Sequence, residues 1–153
     1  MVRTLVALGL ATLAAAPAAA LPPESVLMAE DPEYRAMQEK YGFSDAVIVG
    51  DMIYLSGVVA GFAPGETDMV PAYDRAFRHI GKILARAGAS WADVVDVTTF
   101  HTDVKAQLDA MNTARARYMK APYPAWTAIG VSRLLPDTGL TEIKVIARKP
   151  AKP

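Results

Sequence analysis

A carboxylate and an amine lie two residues apart near the C-terminus, in a stretch with the pattern of a β-strand. The run Leu140 to Ala147 is rich in β-branched residues, which is typical of a strand. Since successive strand side chains point to opposite faces, Glu142 and Lys144 share one face. The other face is apolar and predicts a buried core: Ile143, Val145 and Ala147. Glu142 on the uncovered face can orient water and move protons, or it is an exposed glutamate beside a lysine.

Asn112 is a second candidate, because it lies inside a stretch with helical periodicity, next to Met111. Asparagine is a poor helix former, and a buried side-chain amide needs hydrogen-bond partners. The favoured interpretation is structural, with Asn112 tying its helix to a neighbouring backbone. A role in ligand binding is the alternative.

Three motifs together resemble the Rid family, also called YjgF-like proteins or enamine/imine deaminases. They are Tyr-Leu-Ser-Gly at 54–57, Tyr-Pro-Ala-Trp-Thr-Ala-Ile-Gly-Val at 123–131 and Leu-Thr-Glu-Ile-Lys-Val-Ile-Ala at 140–147. The resemblance covers about residues 43–148, and the three motifs occur in the same order as in the family. It implies a chorismate-mutase-like α+β fold, a homotrimer with small-molecule clefts between subunits, and hydrolysis of an imine or enamine. That chemistry requires no covalent nucleophile and no cofactor.

The resemblance assigns a role to Glu142, which aligns with the glutamate that positions water in the family's enzymes. Trp126 stands where deaminating members carry the arginine that grips the substrate carboxylate. Tryptophan offers one N–H and a large apolar face instead of a guanidinium. Lys144, or Arg133 of a neighbouring subunit, remains as a replacement cation. We therefore expect a ligand that depends less on its carboxylate.

Four further residues match the family's site: Phe43, Gly57, Asn112 and Thr127. Phe43 stands where many relatives place a tyrosine lining the cleft, and Gly57 is expected to allow close backbone approach. Thr127 offers a hydroxyl or an N–H to a ligand, or is an ordinary strand residue. Phe43 and Trp126 predict an aromatic pocket. The alternative to a hydrolase is a non-catalytic, small-molecule-binding trimer whose clefts have lost deaminase activity.

The rest of the pattern predicts how these residues are positioned. Its elements are a hairpin (46–56, turning at 50–51), a short strand (58–60), a helix (68–87), a strand (94–100), a helix after Asp103, and strands at 125–131 and 140–147. This order predicts an α+β fold, in which a mixed sheet carries two helices on one face. We expect Phe100, Trp126 and Leu140 on the opposite face, covered by oligomerisation.

The N-terminus predicts export and an added element. Residues 1–20 combine Arg3, an apolar run and an Ala-Ala-Ala end, which is typical of a signal peptide cut after Ala20. This predicts a periplasmic or secreted protein without a membrane anchor. Residues 21–42 form an extension, in which Asp31-Pro32 begins a helix that packs through its apolar stripe: Tyr34, Met37 and Tyr41. Residues 149–153 are expected to be a disordered tail.

Composition argues against several classes of function. The 16 basic and 16 acidic residues give a formal net charge of zero, and no basic run predicts a nucleic-acid partner. The chain has no cysteine and two histidines, so we expect neither a disulfide nor a metal site. His79 is predicted on an exposed helix face. His101 is expected to be a polar strand end, with a pocket as the alternative.

Overall fold

The computed structural model describes residues 21–151; the predicted signal peptide and the last two residues lie outside them. The strands are β1 (Val26–Leu27), β2 (Ala46–Val49), β3 (Met52–Leu55), β4 (Val58–Gly61), β5 (Val94–His101), β6 (Ala125–Gly130) and β7 (Gly139–Arg148). The α-helices are α1 (Pro32–Tyr41), α2 (Met69–Arg86) and α3 (Val104–Arg115), and short 3-10 turns occupy Pro23–Ser25 and Trp91–Asp93. No helix within 21–151 is long and apolar enough to cross a membrane.

One mixed sheet of seven strands organises the fold, in the order β1-β2-β3-β7-β5-β6, with β4 also paired to β7. β3 and β4 pair with successive parts of β7, since Tyr54 lies opposite Ile146 and Val59 opposite Glu142. Gly57 belongs to the short join between these two strands. β6 pairs in parallel with β5, whereas the other strand pairs are antiparallel.

α2 and α3 cover one face of this sheet, as predicted. Asp68 and Asp103 cap their N-termini by accepting hydrogen bonds from backbone N–H groups. α2 ends before Gly88, whose φ of +80° favours glycine. Its apolar stripe is buried against the sheet: Ala72, Tyr73, Ala76, Phe77, Ile80, Ile83 and Leu84. The predicted α+β class and its two-helix layer are confirmed.

The opposite face of the sheet keeps apolar side chains accessible. We call it the open face, defined by the β7 residues Glu142 and Lys144 and their cross-strand neighbours. Tyr54 and Ile129 belong to it by register, and they are 43% and 39% exposed. Such accessible apolar area is typical of a surface that meets another molecule.

The N-terminal helix α1 packs differently from the prediction, which placed its apolar stripe against the domain. The buried α1 residue is Gln38, whose Oε1 accepts from the Ala29 N–H (2.8 Å). Its Nε2 donates to Asp45 (2.7 Å), which Arg86 also binds (2.8 Å). The stripe itself is exposed: Tyr34 by 40%, Met37 by 37% and Tyr41 by 67%. That prediction was wrong because a buried polar group with fitting partners fixed the helix orientation instead.

The C-terminal tail begins in an ordered contact. The backbone N–H of Lys149 donates to the Asp51 carbonyl (2.7 Å), and the described residues Pro150 and Ala151 follow without helix or strand.

We expect Gln38→Ala to lower the free energy of unfolding by about 1–3 kcal/mol, because it leaves the buried Ala29 N–H without an acceptor. Urea denaturation at a fixed protein concentration measures the change. Glu39→Ala, at the exposed neighbouring position, is the matched control and should stay within about 0.5 kcal/mol of wild type. Equal midpoints for both variants would contradict the role assigned to Gln38.

Candidate functional site

Two rows of side chains cross the open face next to the join between β3 and β4. In one row Glu142 of β7 lies opposite Phe100 of β5, which lies opposite Ile129 of β6. The next row joins Lys144, Thr98 and Thr127 in the same way. Rows of this kind lie about 7 Å apart along the strands. The structure therefore brings Glu142, Lys144 and Thr127 to one face.

Gly57 lies directly beneath the carboxylate of Glu142. A Cβ built on Gly57 would overlap the Oε1, Cδ and Cγ atoms of that side chain. The position therefore needs glycine for close approach, although its φ is not in the left-handed region. Glu142 is half-buried, and within residues 21–151 its carboxylate has no side-chain hydrogen bond or ion pair. It is thus held in place with its oxygens available.

Trp126 lies on the other side of the sheet, contrary to its predicted position on the open face. It pairs with the buried Val97, and its indole Nε1–H donates to Thr99 Oγ1 (3.1 Å). Arg115 of α3 lies over its ring, with Cζ 4.0 Å from the centroid. The open-face prediction was wrong because β6 carries one large apolar side chain on each face, Trp126 and Ile129, so its sequence pattern does not indicate which face meets the core.

A buried polar network fixes the orientation of this indole. Thr99 Oγ1, which accepts from Trp126, also lies 2.9 Å from His101 Nε2. His101 Nδ1 lies 3.1 Å from Thr141 Oγ1, which bonds in turn to the Tyr73 hydroxyl (2.8 Å). The chain of bonds runs from the edge of the sheet to α2. The hydrogen bond to this network therefore fixes the orientation of the Trp126 side chain.

His101 is the last residue of β5, as expected for a polar strand end, and it is fully buried in this network. Burial lowers the pKa of His101, whereas the side chain of Gln107 raises it by hydrogen bonding, with the smaller effect. The neutral imidazole suits a site where it bonds two threonine hydroxyls. His79, by contrast, is exposed on α2 as predicted.

Asn112 and Arg115 lie one turn apart on α3, on the side that meets β6. The Oδ1 of Asn112 is buried without a hydrogen-bond partner among the described residues, so the predicted tie to a neighbouring backbone is not formed by this atom. Arg115 is half-buried. Burial lowers the pKa of its guanidinium, while the nearby Tyr123 raises it. Both side chains keep unused hydrogen-bonding capacity at the edge of the sheet.

Phe43 occupies a third location, next to the N-terminal extension. Its ring packs edge-on against Tyr34 of α1, with centroids 6.2 Å apart. It also lines a groove of 280 Å³ with Gln38 and Ser44. A larger hollow of 650 Å³ lies at the β2–β3 turn beside Asp51 and Arg148. Neither hollow contains Glu142 or Trp126.

The two predicted replacement cations behave differently from each other. Arg133 forms a two-pronged bond with Asp137 at 2.8 and 2.9 Å, so its charge is already paired within the chain. Lys144 is exposed on the open face beside Glu142. Within residues 21–151 no cluster of three or more histidine, aspartate or glutamate side chains could hold a metal ion.

Sequence reasoning missed Arg115, Thr99 and Gln107. A signal for Arg115 existed, because an arginine interrupts the apolar face of α3 that Leu108 and Met111 define. An isolated charge in such a stripe indicates a stacked or paired guanidinium. The buried threonine and glutamine carried no comparable signal.

We expect stability to fall with pH below the ordinary histidine pKa of 6.5. Between that value and the lowered pKa of folded His101, the unfolded chain binds a proton that the folded chain excludes, so the free energy of unfolding decreases as pH decreases. Denaturation midpoints from pH 7.5 to 5 measure this. His101→Gln should flatten the dependence in this window, whereas the exposed His79→Gln control should keep it. Identical profiles for the three proteins would contradict the assignment.

Comparisons with known proteins agree with this fold. Residues 34–149 match the family model described as endoribonuclease L-PSP. The RutC family protein YjgH of Escherichia coli is 38% identical over 119 residues, covering 75% of this chain and 88% of the relative. The 2-iminobutanoate/2-iminopropanoate deaminase of Capra hircus is 34% identical over 110 residues, covering 69% and 78%.

Solved structures give the same result. The structure of YjgH superposes with a TM-score of 0.68 at 34% identity, covering 84% of this chain and 97% of the other. A crystal structure described as a putative endoribonuclease from Thermotoga maritima superposes at 0.64 with 26% identity, covering 86% and 97%. Sequence and fold lead to one conclusion: the chain belongs to the Rid family of YjgF- and RutC-related proteins.

Proposed function

We propose that this protein hydrolyses the C–N bond of a small imine or enamine, with Glu142 as the group that activates water. The observation that supports this most is the carboxylate itself, which is half-buried over Gly57 and has no side-chain partner among residues 21–151. The deaminase names of relatives at 34% and 33% identity support the same reaction class.

The chemistry needs one carboxylate acting twice. Glu142 accepts a proton from water as the water oxygen bonds to the imine carbon, which gives a carbinolamine. The carboxylic acid returns that proton to the imine nitrogen. The carboxylate then takes the proton of the carbinolamine hydroxyl and passes it to the amino nitrogen, so that the C–N bond breaks, ammonia leaves and a carbonyl forms. An enamine first gains a proton at carbon and loses one from nitrogen to become the imine. A general base of this kind contributes roughly 10²–10⁴-fold in rate.

We further propose that the reaction takes place in clefts between the subunits of a homotrimer. Glu142 lies on the open face and Trp126 on the helix-covered face, so one cleft can hold both only if two chains contribute. The exposed Tyr54 and Ile129 on the open face support association through that face. Light scattering coupled to size exclusion tests this; a monomer at micromolar concentration would overturn it.

The second candidate is a non-catalytic binder of small molecules. It is favoured by the open face itself, where Lys144 stands beside Glu142 instead of a guanidinium. Lysine gives a weaker, non-bidentate grip on a carboxylate. A ribonuclease role, suggested by the name of the family model, has less support, because the formal net charge is zero and RNA binding relies on basic surfaces.

Export of the chain is proposed from residues 1–20 alone, whose composition is that of a signal peptide. N-terminal sequencing of the protein from its native host tests this. A mature protein beginning at Leu21 is expected, and a chain that keeps Met1 or Val2 would contradict export.

We expect Glu142→Gln to reduce hydrolysis of 2-iminopropanoate by at least about 100-fold, because the amide cannot accept the proton from water. Release of pyruvate, coupled to lactate dehydrogenase, measures the rate. Glu33→Gln, the same change at an exposed position of α1, should leave the rate unchanged. Full activity of Glu142→Gln, or an inactive but folded wild type, would favour the non-catalytic binder.

Gly57→Ala tests the placement of the same carboxylate. The added methyl displaces the Glu142 side chain, and we expect kcat to fall roughly 10- to 100-fold, as for a misplaced catalytic group. Gly61→Ala is the matched control, because its nearest neighbour would be the Thr138 carbonyl at 3.4 Å. A kcat equal to wild type for Gly57→Ala, with the fold verified by circular dichroism, would contradict this placement.

A further inference from the structure

We propose that Arg115 of α3, which lies over the ring of Trp126, binds the carboxylate of the ligand and takes over the task of the missing strand arginine. This inference rests on the proposed function and extends it, since it names both the recognition residue and the ligand class. The ligand class is a small carboxylate with a hydrogen-bond donor close to the carboxyl group.

Arg115 has no anionic partner among the described residues. Arg117, two residues further on, pairs with Asp74 at 3.2 Å, and Arg78 pairs with the same carboxylate at 3.0 Å. Arg115 is less exposed than either, yet within residues 21–151 it forms no ion pair. A guanidinium removed from water without a counter-ion is unfavourable. A bound anion offsets that cost.

Arg115 lies over the indole of Trp126, with its Cζ 4.0 Å from the ring centroid. A cation in this position is attracted by the ring, and the contact uses no N–H donor of the guanidinium in a hydrogen bond. Within residues 21–151 Arg115 forms no side-chain hydrogen bond or ion pair. Its donors are therefore available for the two-pronged bond by which a guanidinium binds a carboxylate.

The Trp126 ring beneath Arg115 is held in a fixed orientation. The indole of Trp126 donates to Thr99, which belongs to the buried network that continues through His101. A guanidinium resting on a fixed ring loses less conformational freedom when it binds an anion. This explains why a tryptophan at position 126 is compatible with carboxylate recognition, although the side chain itself carries no charge.

Asn112 supplies the second half of the recognition. Its buried Oδ1 has no donor among the described residues, and it lies one helical turn before Arg115 on α3. Side chains three residues apart on a helix have Cβ atoms about 5–6 Å apart. A ligand whose carboxylate meets Arg115 therefore places an adjacent N–H or O–H within reach of Asn112, as in an imino, amino or hydroxy acid.

One effect opposes this site, because Arg115 is the last residue of α3 and a helix C-terminus disfavours anions. That effect is weak near a surface and falls off within the last turn. Hydrogen bonds between ionised groups are stronger than those between neutral groups, and a bidentate pair makes two of them. The attraction therefore prevails over the helix dipole.

The experiment uses Trp126 as the reporter. In the full-length Trp91→Phe background, where phenylalanine keeps a ring against Phe77 and Tyr118, the remaining tryptophan fluorescence is titrated with 2-hydroxybutanoate and, separately, with uncharged 2-hydroxybutanamide. We expect saturable binding of the carboxylate and at least tenfold weaker binding of the amide. Arg115→Met should weaken the binding of 2-hydroxybutanoate at least tenfold and leave that of the amide unchanged, and the affinity of Arg115→Lys should lie between.

Arg117→Met is the matched control, since it removes an exposed arginine from the same end of α3, and its carboxylate affinity should equal wild type. The inference is overturned if the acid and the amide bind equally, if Arg115→Met binds as wild type does, or if no saturable signal occurs. The binding assay is independent of turnover. If carboxylate binding requires Arg115 but the protein has no deaminase activity, only the proposed function is overturned. If turnover requires Glu142 but not Arg115, only this inference is overturned.

Discussion

The alternation of side chains along β7 is the constraint on which the rest of the structure depends. Its residues at odd positions from 141 to 147 are all 0% exposed beneath α2 and α3, so the residues between them must face the opposite way. Glu142 and Lys144 reach the open face for this reason. A register slip of one residue would bury both charges and expose the core, so burial of one face fixes the chemistry of the other.

That constraint also divides the candidate site residues into separate groups within one chain. Glu142, Lys144 and Thr127 belong to the open face, whereas Trp126 with Asn112 and Arg115 belongs to the side covered by α3. A seven-stranded sheet separates the two groups everywhere except at its edges. Because β6 is such an edge, a second copy of the chain can bring another Glu142 beside it. Catalysis and carboxylate recognition would then come from different subunits.

The buried polar network under Trp126 gives the edge strand a fixed side chain. Hydroxyl and imidazole groups in a core are costly unless they are bonded, and here Thr99, His101 and Thr141 satisfy one another. The same bonds hold the indole that carries Arg115. In this chain a helix arginine thus lies over a hydrogen-bonded tryptophan at the edge of the sheet.

Periodicity in the sequence determined the helix stripes of α2, the strand order along the chain and the face of Glu142, because these follow from the local geometry of helices and strands. The ordered motifs determined the family. Tertiary structure alone decided that Gln38 and not Tyr34 anchors α1, that His101 is buried, and that Trp126 faces α3. These outcomes depend on partners that are distant in sequence. The edge strand β6, with one large apolar side chain on each of its faces, gives no local signal of which side meets the core.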